Sequence, residues 1–250
     1  MKFGIIGFGN LGQALFSAFI KSGSAKSGDF YICEESSELR GLAEGPPYFA
    51  HTSDDVDFVV RSSDVIFLTI KGYVFEKIAS CIDRSSLLGK TVVSCMAGET
   101  FEKIYSLIGD VDLVRAMPSL AIADCEGVIA YTKSPPALAD IFNKFGAAYE
   151  TAPENIEKFM AFSACGLGYA AYLIDAFAVA GEEMGFSIED AADIASLTFK
   201  NAVDRGGFKA TVKAVATPGG ATEQGLNYME GCDVHGIVVN AMRKAYERMT

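Results

Sequence analysis

The chain opens on a short apolar run, residues 2–6, which breaks at a glycine-rich turn and gives way to helical spacing over residues 11–22. In that stretch Leu11, Leu15, Ala18 and Phe19 recur at intervals of three and four, which places them on one face of an amphipathic helix. Residues 29–33 read as a second strand, 36–43 as a short helix, and the neighbourhood of Ala50 as a third strand. Residues 65–70 are apolar without alternation, as expected of a strand buried on both faces of a parallel sheet. Helical character returns over 75–82, strand over 91–94, helix over 100–108, strand over 112–116 and 127–131, helix over 137–145, and a last short strand over 148–151. This alternation predicts an α/β fold with a doubly wound parallel sheet. The alternation stops near residue 152. From Glu154 onward long apolar-periodic helices take over and no strand is evident. The expected division is therefore 1–152 as an α/β domain and 153–250 as an all-helical one, starting near Pro153.

With 250 residues, half of them apolar, the chain can bury a sizeable core. A formal net charge of −11 without any basic block excludes nucleic acid as an expected partner. Six cysteines (Cys33, Cys81, Cys95, Cys125, Cys165 and Cys232) are scattered without a CxxC pair. They read as small core residues in a reducing, cytoplasmic compartment rather than as a disulfide framework or a zinc site. The two histidines, His51 and His235, carry no motif, so neither a metal site nor a Ser-His-Asp hydrolase is expected. The first residues lack the pattern of a signal peptide. Residues 159–174 are nearly free of charge, but that run is shorter than the about 20 residues a bilayer requires, and Asp175 follows directly. A helix buried in a core or a dimer interface is expected there, not a membrane segment.

The turn after the first strand reads Gly7-Phe8-Gly9-Asn10-Leu11-Gly12, a full GxGxxG. Between a strand and an amphipathic helix, this spacing marks a dinucleotide site of Rossmann type. The first glycine permits the tight turn, the second lets the backbone approach the pyrophosphate, and the third allows close helix–strand packing. The helix N-terminus adds free N–H groups for the phosphates. Gly7, Phe8, Gly9, Asn10 and Leu11 are thus cofactor-binding candidates. Glu34 ends the second strand 22 residues beyond Gly12, where an acidic residue accepts from the adenosine ribose hydroxyls. A carboxylate there repels a 2′-phosphate, and the nearest arginine is Arg40. NAD(H) is therefore favoured over NADP(H), the alternative being that Glu34 and Glu35 are simply solvated.

In the second half, Thr217-Pro218-Gly219-Gly220-Ala221-Thr222 forms a turn whose successive N–H groups suit a carboxylate. The same segment also reads as a helix N-cap through Thr217 or Thr222. Several motifs together resemble the pyrroline-5-carboxylate reductase family, nearly end to end. Gly7 to Gly12 is similar to its Gly-Ala-Gly-Asn-Met-Gly/Ala. Leu68-Thr69-Ile70-Lys71 is similar to Leu-Ala-Val-Lys-Pro, and Ala97-Gly98 to the Ala-Gly after the fifth strand. Arg115-Ala116-Met117-Pro118 resembles Arg-x-Met-Pro-Asn, Ser163 to Tyr169 resembles Ser-Gly-Ser-Gly-Pro-Ala-Tyr, and Thr217 to Thr222 resembles Ser-Pro-Gly-Gly-Thr/Ala-Thr.

The resemblance implies a Rossmann domain followed by a helical dimerisation domain, and an NAD(P)-dependent reduction of a cyclic imine to proline. By resemblance, Gly219, Gly220, Ala221 and Thr222 hold the substrate carboxylate, and the Thr222 hydroxyl lies near the imine nitrogen. Lys71, Ala97, Met117 and Pro118 lie around the nicotinamide, with Thr222 and Lys71 as the catalytic candidates. A homodimer or higher homo-oligomer is expected, and Tyr169, Tyr172, Leu173, Phe177 and Met184 are candidates for its interface or for ordinary intrachain core. The family pattern is broken at several places. Gly72 stands for the Pro after Lys71 and Ser119 for the Asn after Met117-Pro118. Ser163-Ala164-Cys165-Gly166-Leu167-Gly168-Tyr169 lacks one Gly and the Pro. Glu35 replaces a basic residue, and the family's Asn before the fourth strand has no good equivalent, Asp54 and Asp55 lying nearby. These departures leave open a reductase of another small imine or carbonyl substrate, or a non-catalytic NAD-binding paralogue.

Overall fold

The computed structural model describes all residues, 1–250. Two compact units are present, Met1–Ala164 together with Tyr246–Thr250, and Cys165–Ala245. The first unit alternates strands and helices: β1 (Phe3–Ile6), α1 (Asn10–Lys21), β2 (Phe30–Cys33), α2 (Ser37–Glu44), β3 (His51–Ser53), α3 (Val56–Arg61), β4 (Val65–Leu68), α4 (Gly72–Ile78), β5 (Thr91–Ser94), α5 (Phe101–Ile108), β6 (Asp112–Pro118), β7 (Gly127–Tyr131), α6 (Pro136–Phe142), β8 (Gly146–Glu150) and α7 (Ile156–Phe159). The strands form one sheet in the order β3-β2-β1-β4-β5-β6-β7-β8. The order runs outward in both directions from β1, as a doubly wound fold does, and so leaves a crevice at the carboxyl ends of β1 and β4.

Burial follows the pleat. In β4 Val65 and Phe67 join one core cluster and Ile66 and Leu68 the other, which explains an apolar run without alternation. One face holds an aromatic nest in which Phe19 lies 4.5 Å from Phe3, 5.6 Å from Phe67 and 4.9 Å from Phe145. The other face packs Val59, Val60, Phe75 and Ile104 against the sheet.

Two features depart from the expectation. β7 pairs antiparallel with β6, so the sheet is mostly rather than wholly parallel. The connection is a single short 3₁₀ segment, Leu120–Asp124, and a parallel crossover needs a dozen or more residues. The helix α3 was not foreseen. Its signal was present: Asp55 accepts from the N–H groups of Asp57 and Phe58, and Val56, Val59 and Val60 form the buried face.

After β8 no strand occurs. A π-helical turn, Met160–Ala164, leads into α8 (Cys165–Glu183), followed by α9 (Ile188–Arg205), α10 (Phe208–Val215), α11 (Ala221–Gly231) and α12 (Val234–Met249). The helical run that carries the charge-poor residues 159–174 extends beyond them at both ends. The run Pro153–Glu183 spans 31 residues and is, by length and composition alone, long and apolar enough to cross a membrane. Its helix starts before residue 159 and continues past Asp175. No residue of α8 is buried within the chain.

Candidate functional site

The glycine-rich turn connects β1 to α1, and its three glycines differ in what surrounds them. Gly7 has φ +96°, and a Cβ there would come within 2.5 Å of Ile70 Cγ2. At Gly12 a Cβ would overlap the Gly7 carbonyl oxygen. At Gly9, the N-cap of α1, a Cβ would meet nothing within 4 Å. The first and third glycines are therefore required by the fold, while the second leaves open space over a helix N-terminus. Asn10 is exposed and Leu11 half-buried on this first turn. Phe8 behaves differently. Its ring is fully buried, edge-on to Phe16 and Tyr48 at 6.2 and 5.0 Å, so only its main chain faces the turn.

Glu34 ties this turn to the end of β2. Its carboxylate accepts from the Phe8 N–H at 2.7 Å and from the Ser36 N–H at 2.9 Å. Two residues that sequence reasoning did not single out complete the frame. Thr69 Oγ1 donates to the Gly7 carbonyl at 2.6 Å, and Gln13 Nε2 donates to the Phe8 carbonyl at 2.9 Å. Nothing in the local sequence marks them, because the turn they fix is assembled across β1 and β4. Beside the turn opens a cleft of about 870 Å³ lined by Gly7, Glu34, Glu35, Asp54, Asp55 and Tyr73, among others. Four carboxylates thus border it. Cys33 lies in its wall, and burial, helped by the charge of Glu34, pushes its thiol up to about 11. Arg40 does not face the cleft as a free cation, since its Nη1 donates to the carbonyls of Glu34 and Glu35 at 2.7 and 2.8 Å.

Lys71 is exposed at the N-cap of α4, and Ala97 is exposed in the loop after β5 beside Gly98, which has φ +69°. Met117 and Pro118 are buried at the end of β6, and Met117 packs in a small cluster with Ala130 and Ile156. Arg115, next to them, is buried and donates to Glu157 at 2.7 Å and to the Met96 carbonyl at 3.1 Å. Ser119 is buried too, and its hydroxyl accepts from the Val128 N–H at 3.1 Å, closing the β6–β7 connection.

In the second unit, Gly219 has φ +74° and the Gly220 N–H donates to the Thr217 carbonyl at 2.9 Å. A Cβ at Gly220 would lie 2.5 Å from Thr217 Oγ1, so glycine is needed for the turn to close. The cap of α11 is Gly220, without a side-chain cap bond, which corrects the assignment of that role to Thr217 or Thr222. Ala221 and Thr222 are the first two residues of the helix and both are exposed. The Gly219 N–H donates to the Glu223 carboxylate at 2.7 Å, so this turn already holds a carboxylate of its own chain.

Residues 153–250 match the model described as pyrroline-5-carboxylate reductase dimerisation. Pyrroline-5-carboxylate reductase of Aquifex aeolicus is 28% identical over 262 aligned residues, which cover 99% of this chain and 96% of the relative. The chain is thus similar, nearly end to end, to pyrroline-5-carboxylate reductases. Residues 2–98 also match the model described as NADP oxidoreductase, coenzyme F420-dependent. Two solved structures share the fold over the whole chain. The reductase of Plasmodium falciparum, with NADP bound, superposes with a TM-score of 0.89 at 22% identity, covering 100% of this chain and 97% of that one. The 1-pyrroline-5-carboxylate reductase of Streptococcus pyogenes gives 0.87 at 23% identity, covering 100% and 98%.

Proposed function

We propose that this chain reduces the C=N bond of 1-pyrroline-5-carboxylate to give proline, in the cytoplasm and as a homo-oligomer of at least two copies. The observation that carries the reading is the glycine-rich turn: Gly7 and Gly12 are confined by neighbours, Gly9 has open space where a Cβ would stand, and Gly7 lines a cleft large enough for a ligand. The likeness to pyrroline-5-carboxylate reductases supplies the imine. The functional division we assign is 1–152 for the dinucleotide and 153–250 for dimerisation and substrate.

A dinucleotide held by this turn would supply the hydride that the C=N carbon takes up. The chain supplies position. Main-chain N–H groups of residues 9–11 at the α1 N-terminus hold the pyrophosphate, while Glu34, held by the Phe8 N–H, accepts from the ribose hydroxyls. Lys71, Ala97, Met117 and Pro118 form the surroundings of the nicotinamide, the last two as a buried wall. Gly219, Gly220, Ala221 and Thr222 bind the substrate carboxylate, which takes the place of the Glu223 carboxylate on the Gly219 N–H. The Thr222 hydroxyl bonds the ring nitrogen, which takes its proton from solvent. Orienting the two rings for direct transfer contributes several kcal/mol to the rate.

The preference for NADH over NADPH has its own support. Glu34, Glu35, Asp54 and Asp55 border the cleft, and Arg40 is committed to main-chain carbonyls. A 2′-phosphate placed there would meet four carboxylates against one lining cation, Lys77, and an Arg40 whose Nη1 is held by main-chain carbonyls. The test of the function is NADH oxidation on addition of 1-pyrroline-5-carboxylate. Turnover is expected. Tight NADH binding without turnover on any cyclic imine would replace this reading by a non-catalytic, cofactor-binding one.

A further inference from the structure

The break in the family pattern at Gly72 has a physical counterpart across the cleft. Gly72 is the first residue of α4, a position where proline is favoured because its missing N–H has no intrahelical partner. Its backbone is not in the left-handed region, so the conformation alone does not call for glycine. What occupies the place of a side chain is Glu99. A Cβ on Gly72 would overlap the Glu99 carboxylate and sit 2.9 Å from its Cγ. The Glu99 side chain is only 12% exposed, and its other oxygen lies 3.0 Å from Lys103 Nζ. Lys103 reaches Glu76 in α4 at 2.6 Å. Glu99 is fixed in the chain as well, following Gly98 and preceding Thr100, whose hydroxyl caps α5 by accepting from the Lys103 N–H. Loops 71–73 and 97–100 are thereby joined through one carboxylate seated in the space that a missing Cβ leaves.

We propose that Gly72 and Glu99 form a single lock that sets the separation of these two loops, with Glu99 the positioning residue for the nicotinamide ring. This rests on the reading that Lys71 and Ala97 flank that ring. The lock works by volume: the Glu99 chain fills the gap over Gly72, and Lys103 holds it there. The exposed Lys103–Glu76 pair adds little by itself. A proline at position 72 would accordingly displace the Glu99 carboxylate from this place.

The experiment is a double-mutant cycle on the full-length protein, reading NADH affinity by fluorescence titration, the KM for imine, and Tm. Gly72→Ala is expected to weaken NADH binding about fivefold, and Glu99→Ala about threefold, with the imine KM unchanged. Gly72→Ala/Glu99→Ala is expected to bind NADH no worse than Glu99→Ala alone, and Gly72→Pro/Glu99→Ala to do the same. Glu99→Gln, equal in volume, is expected to stay within about twofold of the unmodified protein. Penalties that add in the double variants would overturn the lock. Coupling seen in Tm with NADH affinity unchanged would overturn the positioning role. Because NADH binding is read directly, failure to reduce 1-pyrroline-5-carboxylate counts against the proposed function and leaves the cycle readable.

Discussion

In the first unit all four residues of β4, Val65 to Leu68, are buried, whereas in the second the nineteen-residue helix α8 buries none. Between Cys165 and Ala245 only Ala191 and Ala195 are buried, and large apolar side chains stand in solvent: Tyr172 is 73% exposed and Met184 79%. The sequences do not announce this difference, since both regions are rich in apolar residues. The sheet of the first unit has two faces, and the crossover helices between its strands cover both. A helical pair such as α8 and α9 has only its mutual contact to offer, here marked by Phe177 edge-on to Phe199 at 4.9 Å. Each large side chain left in water forgoes about 1.5–3 kcal/mol of burial, and cover by a second copy, which we propose, accords with the dimerisation model that residues 153–250 match.

A charge on the uncovered face should have the largest effect. Tyr172→Asp is expected to weaken self-association by about a hundredfold or more, because a packed interface must desolvate the carboxylate. Leu88→Asp, at a site 78% exposed in the first unit, is the control and should leave both mass and Tm unchanged. Light scattering or sedimentation reads both, and a dimeric Tyr172→Asp protein would show that this face is not the interface.

Within the first unit the glycines separate folding from binding. Gly12→Ala should destabilise the chain by about 1–3 kcal/mol, since its Cβ has no room against Gly7. Gly9→Ala should leave Tm within a few degrees yet weaken NADH by at least about tenfold, as the new methyl occupies the space meant for the pyrophosphate. Equal NADH affinity in Gly9→Ala would remove the dinucleotide from this turn.

In the second unit, Thr222→Ala should lower kcat for imine reduction by about tenfold while NADH affinity stays within about twofold, the loss of one hydrogen bond to the reacting nitrogen. An unchanged kcat would detach Thr222 from the chemistry. The smallest difference expected is that between cofactors: NADH should bind about tenfold more tightly than NADPH. Tighter NADPH would show that Glu34, Glu35, Asp54 and Asp55 do not face the adenosine ribose.

Much of the sheet was legible because its signals are local. β5 and β7 fall where residues 91–94 and 127–131 predict strands, since β-branched and apolar residues such as Val92-Val93 and Val128-Ile129 mark buried strands locally. The GxGxxG spacing carries its own geometry, so Gly7, Gly9 and Gly12 were readable with their separate roles. Thr69 and Gln13 were not, because each acts on a main-chain carbonyl brought near by another strand or turn. Phe8 shows the opposite case: its place in the motif was evident, but the aromatic nest that takes its ring was not.

Periodicity, glycine spacing and the acidic end of β2 by themselves determined the alternating sheet, the helical second half and a dinucleotide turn ending on Glu34, since each follows from the chain's local stereochemistry. Only the tertiary structure decided the reversal at β7, the confinement of Gly7 and Gly12 but not Gly9, the carboxylate border of the cleft, and the fit of Glu99 over Gly72. All of these depend on which distant segments share the same volume, and side chains compete for volume only once the chain is folded.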